Sequence, residues 1–353
     1  MGSNLQSRFR SNRIFKKDDY VDPLIIPREA LFGSGTNAIK IHHKCEYNEK
    51  IYYFDFTSLY PWAQKYCCYP VGHPEILTEN IDFNKKYFGL MKCKILPPKY
   101  LFIPVLPSRI NKKLIFTCCN QCVEEINREK CFHSEMKRAL TGTWCTPEIY
   151  KAVEKGYKIL NIYAVWHWNK TSVYNKENKS GGLFTSYINK ALKDKQEASG
   201  FSKSCITDKQ KSDYIENYRL MEGIQLDINK IEFNSARRQV AKLMANSEWG
   251  YLAMKTNKLQ FKLLNRIDQW NVILTNEQYN IHNVVFDKDN FDMLQVYYSI
   301  SEESHLGGLN TNVAVASFVT CHARLHLYEE LEKIGERVLY FDTDSIIFKA
   351  KEG

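Results

Sequence analysis

No apolar run in the 353 residues approaches the roughly 20 residues that cross a bilayer. The opening MGSNLQSRFRSNRIFKKDD has no hydrophobic segment of the kind a secretory signal carries. Gln6 stands where an acylation signal has Ser or Thr, so the Met-Gly start does not read as a myristoylation site. No internal repeat and no long low-complexity segment is visible, which argues against a solenoid. These absences lead to the expectation of an intracellular protein with no membrane partner. Its address, nucleus or mitochondrion, stays open, because the first 17 residues contain Arg and Ser but no acid.

What is present suits a globular protein with a polyanionic partner. Hydrophobic residues make up 44% of the chain and aromatics 13%, enough for a sizeable core. The 49 Lys and Arg exceed the 40 Asp and Glu, leaving a formal charge of +9. Without a secretory signal, the 11 cysteines are expected to be reduced thiols or metal ligands rather than a disulfide framework.

The pattern predicts an α+β fold in six stretches. A basic tail over 1–30 leads to an α+β unit over 31–105, where IYYFDFTSLYPW reads as a strand-rich run ending at Pro61 and YFGLMKCKIL as a further strand. Residues 106–180 read as a cysteine-dense insertion. Two helices, LFTSYINKALKDKQEASG and SARRQVAKLMANSEWGYLAM, separated by a charged stretch, fill 181–258. A strand-prone second insertion covers 259–310, with QFKLL, WNVILT and LQVYYSI as its strands. The last stretch, 311–353, holds a helix with Ala316, Val319, Ala323, Leu327 and Leu331 on one face and Gly335 as its stop, feeding the hairpin RVLYFDTDSIIF.

In YFDTDS, Asp342 and Asp344 stand two apart, so an extended backbone puts both on one face. Carboxylates that close repel unless a proton or cation intervenes, and a hard cation such as Mg²⁺ suits oxygen ligands. An Asp-rich surface turn fits the spacing equally well. The balance shifts with Asp55, a third acid ending a hydrophobic run far away in the chain: carboxylates at separate strand ends can hold two ions between them. In RRQVAKLMANSEWG, Arg238, Lys242 and Asn246 recur every fourth residue and line one helical face, fit to grip a triphosphate, with a solvated basic face as the alternative. Trp249 beside Gly250 offers a flat platform at the end of that stripe.

DFTSLYP, KLMANSEWG and YFDTDS resemble, in order, the three polymerase motifs of family B DNA polymerases, and their wide spacing resembles the protein-primed branch of viruses, linear plasmids and self-synthesising transposons. The resemblance implies a palm built from 31–105 and 311–353 and helical fingers over 181–258. It implies two Mg²⁺ ions held mainly by Asp55 and Asp344 with Asp342 in support. Ser58, Leu59 and their backbone would cradle a dNTP, Tyr60 would exclude a ribose 2′-hydroxyl, and Arg238, Lys242 and Asn246 would hold phosphates and sugar. Trp249, Gly250, Tyr340 and Ser345 would meet the DNA primer-template. Trp249 stands where the family more often has Tyr, and Tyr251 where a basic residue is common. A terminal protein is a further partner implied for the branch. The family's exonuclease and thumb domains are not expected in this chain, so a catalytically weak or inactive fragment that only binds DNA and nucleotide is the alternative to a working polymerase. A reverse transcriptase fits DTDS and SLYP less well.

Cys119-x2-Cys122-x8-Cys131-x-His133 offers four ligands that suit tetrahedral Zn²⁺, with Cys118 able to replace Cys119 and free thiols as the other reading.

Overall fold

The computed structural model describes residues 21–351 apart from 83, 203, 204, 287–292, 302, 303, 306, 307 and 309, so most of the tail expected over 1–30 lies outside the described residues. Among the described residues three antiparallel sheets of three or four strands, three two-stranded ribbons and a set of helices carry the α+β architecture. In the first sheet the strands run in the order Thr36–Ala38, Val338–Asp342, Ser345–Lys351, Glu49–Asp55. Val338, Leu339, Phe341 and Ile346 are buried from the hairpin, and Val338, Phe341 and Ile346 share a core cluster with Leu327 and Leu331 of the long helix Val313–Ile334. Asn312 caps that helix by accepting the Val315 amide at 3.0 Å, and Gly335 ends it at φ +63°, a conformation that costs glycine little. All five residues of the expected apolar face are buried.

Glu49–Asp55 lies at the sheet's edge and pairs only with Ser345–Lys351 among the described residues. Ile51, Tyr52, Tyr53 and Phe54 are all exposed along it. The strand run expected to reach Pro61 stops at Asp55, and Pro61 instead sits in the first turn of a helix, Leu59–Tyr66. Proline is tolerated there because the amide it lacks would have no helical partner.

The second sheet orders its strands Glu75–Leu77, Lys158–His167, Gly89–Leu96, Leu140–Cys145. Gly89–Leu96 is buried along both faces and so needs a partner on each edge. It finds them in residues 140–167, beyond the expected break at 105/106, so that break runs through a sheet and not between spatial units. A Cβ at Gly89 would lie 1.8 Å from the Trp166 carbonyl oxygen, and only glycine lets these two strands approach.

The third sheet joins Gln260–Leu264, Leu294–Ile300 and Tyr279–Phe286 in that order. WNVILT, expected as strand, falls in a helix, Ile267–Leu274, and the strand content of this region is smaller by that segment. Trp270 and Ile273, three apart, pack from it onto Leu264, Val296 and Tyr298, so tertiary burial overrides the β preference of its branched residues.

The two helices expected in 181–258 are Thr185–Glu197 and Ser235–Leu252, and the charged stretch between them forms a third, Asp208–Glu222. No residue of this helix is fully buried, and its apolar face is a short half-buried one, Tyr214, Ile215 and Tyr218 packed on Ile224, Leu226 and Ile231. Its ends are marked as well: a Thr207–Gln210 capping box starts it and Gly223, at φ +72°, stops it. Its last residue, Glu222, accepts from the buried Lys65 Nζ at 2.9 Å and from the Tyr66 hydroxyl at 2.7 Å.

Arg324, buried on the long helix, ties together elements far apart in sequence. Its Nε donates to Glu148 Oε1 at 2.7 Å, and its Nη1 donates to the carbonyls of Phe32 and Gly33 at 2.8 and 2.9 Å. Removing one partner of such a pair strands a charge in the interior. Arg324→Ala should therefore cost about 3–5 kcal/mol in chemical denaturation, while Arg324→Met with Glu148→Leu should recover most of that loss. Equal destabilisation by the single and double variants would refute the argument.

Candidate active site

The antiparallel register brings the three acids to one end of the first sheet. Ser345 is opposite Asp55 on one side and opposite Asp342 on the other, and Asp344 lies in the turn between the hairpin strands. The Phe56 amide donates to the Asp344 carbonyl at 2.7 Å, closing the chain after Asp55 onto that turn. Thr343, at φ +54°, makes the turn tight, and its amide donates to the Gly35 carbonyl at 2.9 Å.

The three carboxylates differ in environment. Asp342 accepts from the Thr36 hydroxyl at 2.7 Å, the Thr343 hydroxyl at 3.0 Å and the Tyr340 hydroxyl at 3.4 Å, and the Thr36 bond leads in holding its pKa below the usual carboxylate range. Asp344 shifts the other way, raised by desolvation and then by the charge of Asp55. Asp55 accepts from the Tyr53 hydroxyl at 3.3 Å. Among the described residues none of the three is ion-paired. Their oxygens do not converge within 4.8 Å as a set of three. The arrangement is thus a facing pair, Asp55 and Asp344, with Asp342 turned to its hydroxyl partners. Asp344, partly desolvated, and the exposed Asp55, neither ion-paired among the described residues, fit a hard divalent cation, the donor chemistry being all oxygen.

The stretch after Asp55 turns at Ser58, whose left-handed backbone (φ +62°, ψ 52°) starts the helix Leu59–Tyr66, with Leu59 buried beneath it. Ser58 Oγ accepts from Lys195 Nζ at 3.2 Å. Lys195 belongs to Thr185–Glu197, and burial together with the charges of Arg238 and Lys242 lowers its pKa. Three cations from two packed helices therefore converge beside the turn, and Lys242 is also close enough to Asp344 to oppose its upward shift. The two helices pack together, with the Tyr187 hydroxyl donating to the Met244 carbonyl at 2.9 Å, and Ala241 and Ala245 are the buried residues of Ser235–Leu252. Neighbouring arginines divide the work: Arg237 bonds Asp194 and Glu197, both at 3.2 Å, whereas Arg238 stays exposed and donates to Ser199 Oγ at 3.2 Å.

Tyr60 and Trp249 stack, ring centroids 4.9 Å apart at 14°, joining the short helix to Ser235–Leu252. Burial raises the Tyr60 phenol's pKa. Asn246 is half-buried on the same helix, and a Cβ built at Gly250 meets nothing within 4 Å, so that flank is open. Tyr340 and Ser345 both turn to Asp342, Ser345 Oγ donating to its carbonyl at 3.2 Å.

Sequence reasoning missed Lys195 and Glu248. Lys195 sits in KDKQE among charges of both signs, and no periodic signal separates it from Lys190 or Lys193. Glu248, inside KLMANSEWG, has its pKa raised to about 7 by desolvation, with Gln64 Nε2 donating to it at 3.4 Å.

Cys119, Cys122, Cys131 and His133 also come together, all four ligand atoms within 4.8 Å of one another. Two further groups meet that distance. In one, Cys145, Glu148 and Cys321, the carboxylate is already committed to Arg324. In the other, His43, Cys45 and Glu49, Glu49 is shared between His43 and Lys349.

The family described as DNA polymerase type B, organellar and viral, matches residues 24–211. That stretch includes Asp55 and Lys195 and stops before Arg238, Lys242 and the hairpin acids. No curated protein sequence matches the chain. Among solved structures, phi29 DNA polymerase complexed with primer-template DNA and incoming nucleotide substrates is similar with a TM-score of 0.55, at 16% identity, over 93% of this chain and 43% of that one. Phi29 DNA polymerase complexed with single-stranded DNA gives 0.54 at 16% identity, over 93% and 42%. At such identities the likeness is one of fold, and the chain spans less than half the length of those polymerases.

The Glu248 shift gives a pH signature. Its folded pKa lies above its unfolded value, so its contribution to stability is full below about pH 4.5 and is lost as pH rises through about 7. Glu248→Gln should therefore narrow the difference in Tm between pH 5 and pH 8; an unchanged difference would place the carboxylate in water.

Proposed function

The chain belongs to the organellar and viral type B DNA polymerases, and on that footing we propose that it carries the palm and fingers of a template-directed DNA polymerase. In this reading the sheet bearing Asp55, Asp342 and Asp344 is the palm, the helices of 181–258 are the fingers, 259–310 is an insertion, and the insertion expected over 106–180 returns two strands to the sheet of Gly89–Leu96. The partners are a DNA primer-template and dNTPs, as in the complexes of the phi29 enzyme. The setting is intracellular replication of a viral-like, plasmid-like or transposon-like DNA, with a terminal protein as the alternative source of the first hydroxyl.

The observation that carries this reading is the hydrogen bond from Lys195 to Ser58. It draws the cations of the fingers face to the turn that follows Asp55, with Lys242 near enough to Asp344 to oppose its upward shift. Asp55 and Asp344 would hold two Mg²⁺ ions, with Asp342, tied to Thr36, keeping the turn in place. When bound, these ions would lower the pKa of a primer 3′-hydroxyl and neutralise charge on the leaving pyrophosphate. Lys195, Arg238 and Lys242 would bind the β- and γ-phosphates, leaving the α-phosphate facing the carboxylates, and the amides after Ser58 would add donors. Tyr60 would lie beneath the sugar and, braced by Trp249, leave no room for a 2′-hydroxyl. Trp249 and the open flank at Gly250 would meet the nascent pair, and Tyr340 and Ser345 the primer end. Catalysis is then positioning and charge neutralisation, with no covalent intermediate on the protein.

Primer extension with dNTPs and Mg²⁺ tests this. Asp55→Ala and Asp344→Ala should each lower the rate by about 10²-fold or more. Lys195→Ala should raise the KM for dNTP more than it lowers kcat. Extension indifferent to both aspartate variants would reject the site, and no extension at any protein concentration, with DNA still bound, would favour a binding-only fragment. Separately, Tyr60→Ala should raise the use of ribonucleotides relative to deoxynucleotides.

A further inference from the structure

We propose that Cys119, Cys122, Cys131 and His133 form a structural zinc site that takes the place of a hydrophobic core for residues 117–137. The distances carry the argument. His133 Nδ1 lies 3.5 Å from Cys119 Sγ, 3.3 Å from Cys122 Sγ and 3.6 Å from Cys131 Sγ. One ring nitrogen cannot make good hydrogen bonds to three sulfurs at once, so hydrogen bonding does not explain the cluster. A tetrahedral ion does: with Zn–S near 2.3 Å and Zn–N near 2.0–2.1 Å, ligand sulfur and nitrogen stand about 3.6 Å apart.

The surroundings fit. His133 Nε2 is 3.0 Å from Glu125 Oε2, a carboxylate that accepts the Nε2–H hydrogen bond and so leaves the Nδ1 lone pair facing the sulfurs. The Cys122 amide donates to Cys119 Sγ at 3.4 Å, and Asn127 Nδ2 donates to Cys122 Sγ at 3.7 Å, bonds that stabilise thiolate. Cys118 turns instead to the Leu101 backbone, so the structure selects Cys119 from the adjacent pair. No disulfide competes, all four neighbouring cysteines being free.

The segment also needs such a clamp. Between 117 and 137, Cys119 alone is buried, while Ile126 and Phe132 are exposed. Ile126 is held at φ +55°, a conformation that strains a β-branched residue and that its own packing does not stabilise. Past the cluster the chain enters the turn Glu135–Arg138, where buried Arg138 donates to the Pro97 carbonyl at 2.7 Å, and then the sheet strand Leu140–Cys145. A metal there fixes the path from the hairpin Pro107–Phe116 into the second sheet.

Three measurements on the full chain, none of which needs polymerase activity, test this. Metal analysis after purification from zinc-supplemented medium should find zinc equimolar with protein. Cys122→Ser and Cys131→Ser should reduce it to trace levels and Cys118→Ser should leave it unchanged. Cobalt substitution of the unmodified chain should give the intense visible bands of a tetrahedral thiolate site, a readout that holds even where a variant fails to fold. Removing zinc with a chelator should speed tryptic cleavage after Arg128 and Lys130 several-fold, with re-added zinc restoring protection. Trace zinc in the unmodified chain, an octahedral cobalt spectrum, zinc loss in Cys118→Ser equal to that in Cys122→Ser, or cleavage indifferent to chelator would each overturn the proposal.

Discussion

The buried guanidinium of Arg324 is the interaction on which the arrangement of the chain depends. It joins the long helix to Glu148 beneath the second sheet and to the carbonyls of Phe32 and Gly33. The strap that begins at those carbonyls continues through Gly35, which accepts the Thr343 amide, to Thr36, which bonds Asp342. One buried cation thus fixes, through a few backbone steps, the turn that displays the acids. Its cost is high because burial disfavours charge, and the three oxygen acceptors on Nε and Nη1 offset part of it, the buried Nη2 having no hydrogen-bond partner among the described residues. The apolar helix around it supplies packing; Arg324 supplies register.

A second constraint is the confrontation of opposite charges. Burial raises the pKa of Asp344 and lowers that of Lys195, so each side of the cleft is under-solvated and only partly compensated by the other. Both faces keep their charge separated because they belong to different elements, the hairpin turn and the helix pair. An anionic ligand accompanied by cations would complete the charge balance on both sides together. The stack of Tyr60 on Trp249 is the apolar counterpart of that bridge.

Much of this was legible in the sequence because it rests on local signals. The long helix announced itself by spacing and by Gly335, and the hairpin by apolar flanks around two acids. The acids, Arg238, Lys242 and the Cys/His group stood in short patterns whose residue types suggest their chemistry. What stayed hidden depends on partners far away in the chain. Nothing near Lys195 marks it, since its role comes from Ser58 and the helix Ser235–Leu252. The helix Asp208–Glu222 packs through three half-buried residues, Tyr214, Ile215 and Tyr218, onto partners that lie beyond its own end, and within its charged stretch only the caps are local signals. Ile267–Leu274 reads as strand because its branched residues are apolar, and only the sheet beneath decides otherwise. The division of 31–180 failed to appear because pairing between Gly89–Leu96 and Leu140–His167 is non-local.

The exposed strand Glu49–Asp55 has a consequence for handling the molecule. Among the described residues no second strand pairs with it, and its edge beside the exposed Tyr53 and Phe54 is a template for adding a strand from a second copy. The net charge of +9 holds copies apart at low ionic strength. Salt screens charge over about 10 Å at 0.1 M. Raising it to strip polyanions from the basic surface therefore also removes the repulsion that guards the edge, and colloidal stability and freedom from bound nucleic acid pull in opposite directions.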